Sequence, residues 1–293
     1  MPAKINDGLT AVQRWRLRHP ERAKASTLSA LSQLNIELSS YCDKRTLCFM
    51  CGHQNDKIFP NLQRGFIDFV LLEKIRSQLE PGPIIQLHRD GDPLAYPRLK
   101  DALDLFAGFI ISVVTHGESL VKRADEVIER CTTITVSVVP NDPDGDEQLA
   151  ILREFLRIKG ERKPNVNIKI VGAMAAERLG GYVKIGLPIL HRSLHHSGGD
   201  FKYKGSIPVI PEVAICLDFL SHPSIDYRGN LYICNRLDIH STGCLGSLLE
   251  STLDALWNSP ARKQMMTHHI AGRRDLANAL CAKCTYWGVP TGG

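Results

Sequence analysis

From residue 34 to about residue 188 short apolar stretches alternate with amphipathic ones, and this alternation restricts the fold more than any other feature of the chain. Strands that are separated by helical crossovers pair in parallel and require helices packed over the sheet. Strands are predicted at 34–39, 83–88, 109–115, 133–139, 166–171 and 182–187. Between the first two, Ile67, Leu71, Ile75 and Leu79 recur four apart, which gives a helix one apolar face, and Pro81-Gly82-Pro83 ends it. A later helix carries Leu149, Leu152 and Leu156 and stops at Gly160, a C-terminal cap. Six such units close most of a barrel. The expected class is therefore α/β, a partial (β/α)6 barrel over residues 31–205.

The texture changes after residue 188, where His191, His195 and His196 precede Gly198-Gly199, Pro208 and Pro211. A second domain is expected over 206–293. It opens with a hairpin, Ser224 to Cys234, turning at Arg228-Gly229-Asn230. Two helices follow: Ser251 with Asp254 reads as a capping box, and Ser259-Pro260 as an N-cap with proline at the first helical position. Residues 1–30 form a basic arm with Arg14, Arg16, Arg18, His19, Arg22 and Lys24. A solvated face is the preferred reading there, over a lid or partner-binding helix and over a transit peptide.

With 293 residues the chain can bury a core without disulfide staples. Its nine cysteines fall at short, metal-like spacings with no hydrophobic signal sequence, so a reducing cytoplasm is expected rather than a secreted scaffold. The longest near-continuous apolar stretch, 106–114, is well short of the roughly 20 residues a membrane helix needs. No membrane partner is expected. The net charge of +5 is a mild excess that permits contact with phosphates without requiring nucleic acid.

Cys42, Cys48 and Cys51 follow the first strand directly, with five residues and then two between them. With His53 they are four ligands of the right chemistry for a structural zinc ion. The same three thiolates can instead hold an iron–sulfur cluster that keeps one iron free for a small molecule. By themselves these residues leave both readings open. Three further stretches lie at the C-terminal ends of predicted strands, where parallel α/β folds gather their ligand sites. They are Arg89-Asp90-Gly91-Asp92-Pro93-Leu94, Thr115-His116-Gly117 and Val136-Ser137-Val138-Val139-Pro140.

Together with the cysteines these stretches resemble the radical S-adenosylmethionine superfamily. Phe49 matches the aromatic residue that follows the middle cysteine of that family's motif, but the first gap is five residues where the family has three. Two extra residues add at most about 7 Å of reach, and a longer surface loop costs under about 1 kcal/mol in closure entropy. The resemblance implies a [4Fe-4S] cluster on Cys42, Cys48 and Cys51, with S-adenosylmethionine chelating the fourth iron. It implies that Asp92 stands for the carboxylate of a Gly-Gly-Glu stretch, and that Thr115 and Ser137 hydrogen-bond the cofactor.

Cys216, Cys234, Cys281 and Cys284 resemble the auxiliary-cluster region of the SPASM and twitch subfamilies, as does the stretch 251–260 between them. A full SPASM region has seven cysteines and this one has five, counting Cys244, so a single auxiliary [4Fe-4S] cluster on those four is implied. Zinc suits four cysteines in two pairs as well. Cys244 is a spare thiol or an extra ligand, and Cys131 reads as a buried core cysteine. Two clusters would bring the net charge to about +2, which argues against nucleic acid.

The implied activity is reductive cleavage of S-adenosylmethionine to a 5′-deoxyadenosyl radical, which removes a hydrogen atom from a substrate. A small natural product such as a sugar, aminocyclitol or nucleoside is the leading substrate class. A flavodoxin- or ferredoxin-like protein would supply electrons. The alternatives are a peptide-modifying maturase of the same superfamily and, in another class, a zinc-stabilised nucleic-acid-binding protein. Asp218, His222, Asp226, Tyr227, His191, His195 and His196 are candidates for proton transfer. Some sulfatase-maturing relatives have an aspartate after the cysteine that matches Cys234. Asn235 stands there and cannot act as a base.

Overall fold

Apolar alternation between residues 33 and 171 builds five parallel strands close to their predicted places. The computed structural model describes residues 31–44, 63–140, 142–192, 216–236, 238 and 240–284. The strands are β1 (Gln33–Ile36), β2 (Ile84–Gln86), β3 (Ile110–Thr115), β4 (Thr133–Val138) and β5 (Asn165–Val171). A sixth, β6 (Ile189–Arg192), completes the parallel set. Between them run α1 (Phe69–Arg76), α2 (Leu99–Leu105), α3 (Ala124–Val127), α4 (Gly145–Lys159) and α5 (Ala176–Val183). Within the set each strand lies beside the next in sequence, which is the order that successive crossovers of one hand produce.

The physical reason shows in β4, where Ile134, Val136 and Val138 are buried while Thr133, Thr135 and Ser137 are only half-buried. The apolar side packs under the helices and the polar side forms the other face of the sheet. In α1, Asp68 caps the N-terminus by accepting from Val70 and Leu71 N–H, and Leu71, Leu72 and Ile75 are buried. Gly160 ends α4 at φ +57°, a conformation glycine adopts without strain.

Two expectations need correction. The predicted sixth strand, 182–187, is the end of α5 and a turn: Tyr182 is buried and gives its hydroxyl to Gln148 Oε1 at 2.9 Å, and Gly186 turns the chain at φ +80°. The alternation there came from one helical anchor followed by a turn, and the true strand begins at Ile189. The capping-box position also moves by one residue, because Thr252 rather than Ser251 caps the next helix, accepting from Ala255 N–H.

The C-terminal region contributes α6 (Leu217–Ser221), β7 (Ser224–Ile225), β8 (Asn230–Tyr232), β9 (Cys244–Ser247), α7 (Leu253–Trp257), α8 (Pro260–Ile270) and α9 (Ala279–Lys283). The expected hairpin forms, with Gly229 at φ +87° in its turn. β7 pairs in parallel with the free edge of β1. One sheet of nine strands results, β6-β5-β4-β3-β2-β1-β7-β8-β9. Ile225, Leu231, Leu253 and Trp257 join the same core as Ile36, Ile85, Val136 and Ile168. A smaller cluster gathers Phe219, Ile233 and Leu280 around Cys216, Cys234 and Cys281.

Candidate functional site

At the C-terminal end of β1 the chain leaves as Leu38–Lys44 and returns at Gly65–Ile67. Ser40 N–H donates to Gly65 O and Ile67 N–H to Leu38 O, each at 3.0 Å, so both ends of the intervening stretch are pinned to the strand. Cys48, Phe49, Cys51 and His53 belong to that stretch and lie outside the described residues.

The turn Asp90-Gly91-Asp92 packs against the same strand end. A Cβ on Gly91 would stand 2.3 Å from Ser39 O, so only glycine fits, and Asp92 N–H donates to Tyr41 O at 2.8 Å. The buried Asp92 carboxylate accepts from Leu94 N–H (2.9 Å), Thr115 Oγ1 (2.7 Å) and His116 N–H (3.0 Å). Burial pushes this carboxyl up, against the opposing pull of His116 and Thr115. Asp92 and Thr115, each expected on the cofactor, are brought together, with their polar atoms serving each other and holding the turn after β3.

His116 was not singled out from sequence, yet it is the centre of this end. Its Nε2 lies 2.9 Å from Asp43 Oδ1 and 3.3 Å from Asp92 Oδ2. Burial pulls the imidazole down, but hydrogen bonds to Asp43 and Cys42 and the Asp92 charge outweigh it and hold the ring at about 10. Asp43 also accepts from the Ser119 hydroxyl, and hydrogen bonds from His116 and Ser119 overcome the cost of its burial and lower it. The Cys42 thiol, an Asp43 oxygen and a His116 nitrogen all lie within 4.8 Å of one another. Next to them Lys44 Nζ meets Asp142 at 2.8 Å and Asp144 at 3.1 Å. The long first gap therefore carries two anchors, one to β3 and one to the loop before α4. Ser137, one residue before the end of β4, is half-buried, and its carbonyl accepts from Gln148 Nε2 at 2.9 Å. Gln148 also donates to His116 O and so ties the ends of β3 and β4 together.

The second constellation lies in the C-terminal region. Cys216, Cys234, Cys281 and Cys284 converge on one pocket, all buried and none in a disulfide. Burial pushes the Cys216, Cys234 and Cys281 thiols up, and neighbouring cysteines add to the shift. Four thiolates so placed need a cation among them, which a metal ion or cluster supplies. His269 stacks on Phe219 at 4.2 Å and lines the same pocket, and neither of its ring nitrogens has a hydrogen-bond partner among the described residues. A buried ring N–H in the lining of this pocket suits the sulfides of a cluster better than a bare zinc ion. Arg262 braces this arrangement: its guanidinium sits 3.4 Å over Trp257 and donates to Phe219 O and Leu220 O, fixing the helix that begins after Cys216. Cys244 does not line the pocket, and Cys131 is the core cysteine expected, pushed up to about 12 by burial.

Of the proton-transfer candidates, Asp218 and His222 are buried where the two regions meet. His222 Nε2 lies 2.7 Å from Asn35 Oδ1 on β1, and Asp218 pairs with Arg236 at 2.7 Å. Asp226 instead holds the hairpin turn through Arg228 and Asn230 N–H, and Tyr227 donates to Gln63 O. His191 is exposed on β6, while His195 and His196 lie outside the described residues.

Residues 216–285 match SPASM, an iron–sulfur cluster-binding domain, and the match runs from Cys216 to one residue beyond Cys284. The C-terminal region is thus similar to a SPASM domain. The fold of the chain, over most of its length, is similar to that of two solved structures. BtrN in complex with AdoMet and 2-DOIA aligns at a TM-score of 0.55 and 17% identity, over 90% of this chain and 96% of that one. Streptococcus suis SuiB bound to S-adenosylmethionine aligns at 0.53 and 13% identity, over 83% of this chain and 69% of that one. No curated protein matches the chain in sequence. Residues 216–285 are thus similar to an iron–sulfur cluster-binding domain, and the fold is similar to that of two proteins solved with S-adenosylmethionine. Among the described residues no helix is long and apolar enough to cross a membrane.

Proposed function

We propose that this chain reductively cleaves S-adenosylmethionine and uses the resulting radical to take a hydrogen atom from a small natural-product-type substrate held between the parallel sheet and the SPASM domain. The observation that carries the reading is the convergence of four cysteines from three separate stretches on one buried pocket, behind a sheet whose strand ends gather Cys42, Asp92 and Thr115. The small-molecule reading is supported by the BtrN likeness, which spans nearly all of that chain and comes from a complex with 2-DOIA.

In this reading Cys42, Cys48 and Cys51 hold the first cluster, and Cys216, Cys234, Cys281 and Cys284 the auxiliary one. Phe49, Asp92, Thr115 and Ser137 belong to the S-adenosylmethionine side, with Asp92 acting through the turn it fixes. The basic arm is 1–30, the barrel 31–205 and the auxiliary domain 206–293. A flavodoxin- or ferredoxin-like protein is the electron donor, and the cytoplasm the compartment. The first cluster supplies the electron for cleavage; the protein's part is to hold the thiolates, exclude water and present the substrate.

The test is anaerobic reconstitution, dithionite reduction and an assay for 5′-deoxyadenosine. About eight irons per chain and 5′-deoxyadenosine release are expected. Cys281→Ala should lose about four irons, and Cys42→Ala should abolish cleavage. Zinc without iron after anaerobic purification, or no 5′-deoxyadenosine from fully loaded protein, would refute the reading.

A further inference from the structure

Helix α8 turns two ionisable side chains into the protein. Arg262 and His269, seven residues and so about two turns apart, share its inner face, and each is only 1% exposed. Met265 and Met266 of the same helix pack, partly buried, against the cluster of Phe219, Ile233 and Leu280. Arg262 is accounted for, because carbonyl oxygens and the Trp257 and Phe219 rings take its guanidinium. His269 is not accounted for in this way.

The His269 ring lies 4.2 Å from the Phe219 ring at an interplanar angle of 16°, a stacked pair that leaves the nitrogens at the ring's edge. Neither nitrogen has a hydrogen-bond partner among the described residues, although the ring lines the pocket on which Cys216, Cys234, Cys281 and Cys284 converge. An imidazole carries at least one N–H in either charge state, and leaving it buried and unbonded opposes folding. The described lining offers it little else: Phe219, Ile233 and Leu280 are apolar, and the Asp218 carboxylate is held by Arg236 at 2.7 Å and His222 at 3.2 Å. Stacking therefore fixes the ring while its polar edge is left for whatever the cysteines hold.

We propose that His269 donates a ring N–H to a sulfur of the auxiliary cluster and so raises the reduction potential of that cluster. Reduction places more negative charge on the sulfurs, and a donor already held against them stabilises the reduced state. Four thiolates complete the irons of a [4Fe-4S] unit, so the ring has no iron left to ligate and serves as a donor alone. The inference rests on the auxiliary-cluster half of the proposed function. It adds a residue outside the cysteine set that governs how readily this cluster takes an electron.

The experiment isolates the auxiliary cluster in the full-length chain carrying Cys42→Ala, Cys48→Ala and Cys51→Ala, reconstituted anaerobically. His269→Phe in that background keeps an aromatic ring against Phe219 and removes the N–H. Redox titration followed by electron paramagnetic resonance should show a lower midpoint. The reduced-to-oxidised ratio at a fixed potential should fall about ten-fold, or about 59 mV for one electron. A second measurement keeps His269 in place, so that it does not depend on how the variant folds. With histidine labelled by heavy nitrogen, pulsed electron paramagnetic resonance of the reduced cluster should detect a weakly coupled histidine nitrogen, the signature of a hydrogen bond. An unchanged midpoint in a His269→Phe protein that holds about four irons and melts like the parent would overturn the proposal. So would the absence of a histidine coupling, or a coupling as large as direct iron ligation gives. Zinc in place of iron would remove the auxiliary cluster and the proposal with it, whereas iron with neither signature removes the donor alone. Release of 5′-deoxyadenosine by the unsubstituted protein reads the radical chemistry separately: without release the radical reading falls, and the donor stands on its own two measurements.

Discussion

Asp43 and Lys44 explain how a five-residue gap is tolerated between the first two cysteines of the motif. Both residues point back into the sheet end, Asp43 to His116 and Ser119 and Lys44 to Asp142 and Asp144, so the added chain is tied down. The side chains of Lys44 and Asp142 are only 4% and 5% exposed, which makes this a buried pair. Lys44→Met leaves Asp142 uncompensated and is expected to lower unfolding stability by about 3 kcal/mol in urea titrations. Little of this was legible in the sequence. Cys42, Asp92 and Thr115 could be placed at strand ends by spacing, but His116, Lys44 and Asp142 meet only once the loops fold, and no spacing rule links positions about a hundred residues apart.

At the scale of single elements, local chemistry was readable where a side chain and its own backbone settle the matter. Ser259-Pro260 starts α8 as expected, with the serine accepting from Arg262 N–H, and Gly160 ends α4. It misled at 182–187, where a buried tyrosine ending a helix mimics strand alternation. It was silent on how α8 packs, because Arg262 is fully buried although arginine normally marks a solvent face. Burial draws this guanidinium down to about 10, and carbonyl oxygens and two aromatic faces take the place of a carboxylate. Arg262→Ala removes those charge-assisted hydrogen bonds and the contact with Trp257. It should cost about 3 kcal/mol, and by freeing the helix after Cys216 it should also lower iron retention during anaerobic gel filtration. Destabilisation without iron loss would separate the helix brace from the metal site.

On the scale of the whole molecule, the parallel sheet and the C-terminal region are joined more closely than a change of sequence texture after residue 188 suggests. That change marks where the crossovers stop, and the pairing of β7 with β1 reunites stretches nearly two hundred residues apart, which local patterns do not report. Ser32, Asn35 and Glu37 N–H donate to Ser221, Pro223 and Ile225 carbonyls along this seam, and His222 adds its ring to Asn35. Ile225, Leu231, Leu248, Leu253 and Trp257 are all fully buried in the core that the barrel strands share. Burying each such side chain contributes about 1.5–3 kcal/mol, so removing five withdraws on the order of 10 kcal/mol, comparable with the roughly 5–15 kcal/mol that stabilises a typical domain. Cutting the chain after residue 205 also bares the edge of β1. The shortened protein is expected to aggregate or to unfold without a cooperative transition in calorimetry, whereas the full chain melts as a unit in which the barrel and the auxiliary region lose structure together. A sharp, reversible transition from residues 1–205 alone would show that the seam is dispensable.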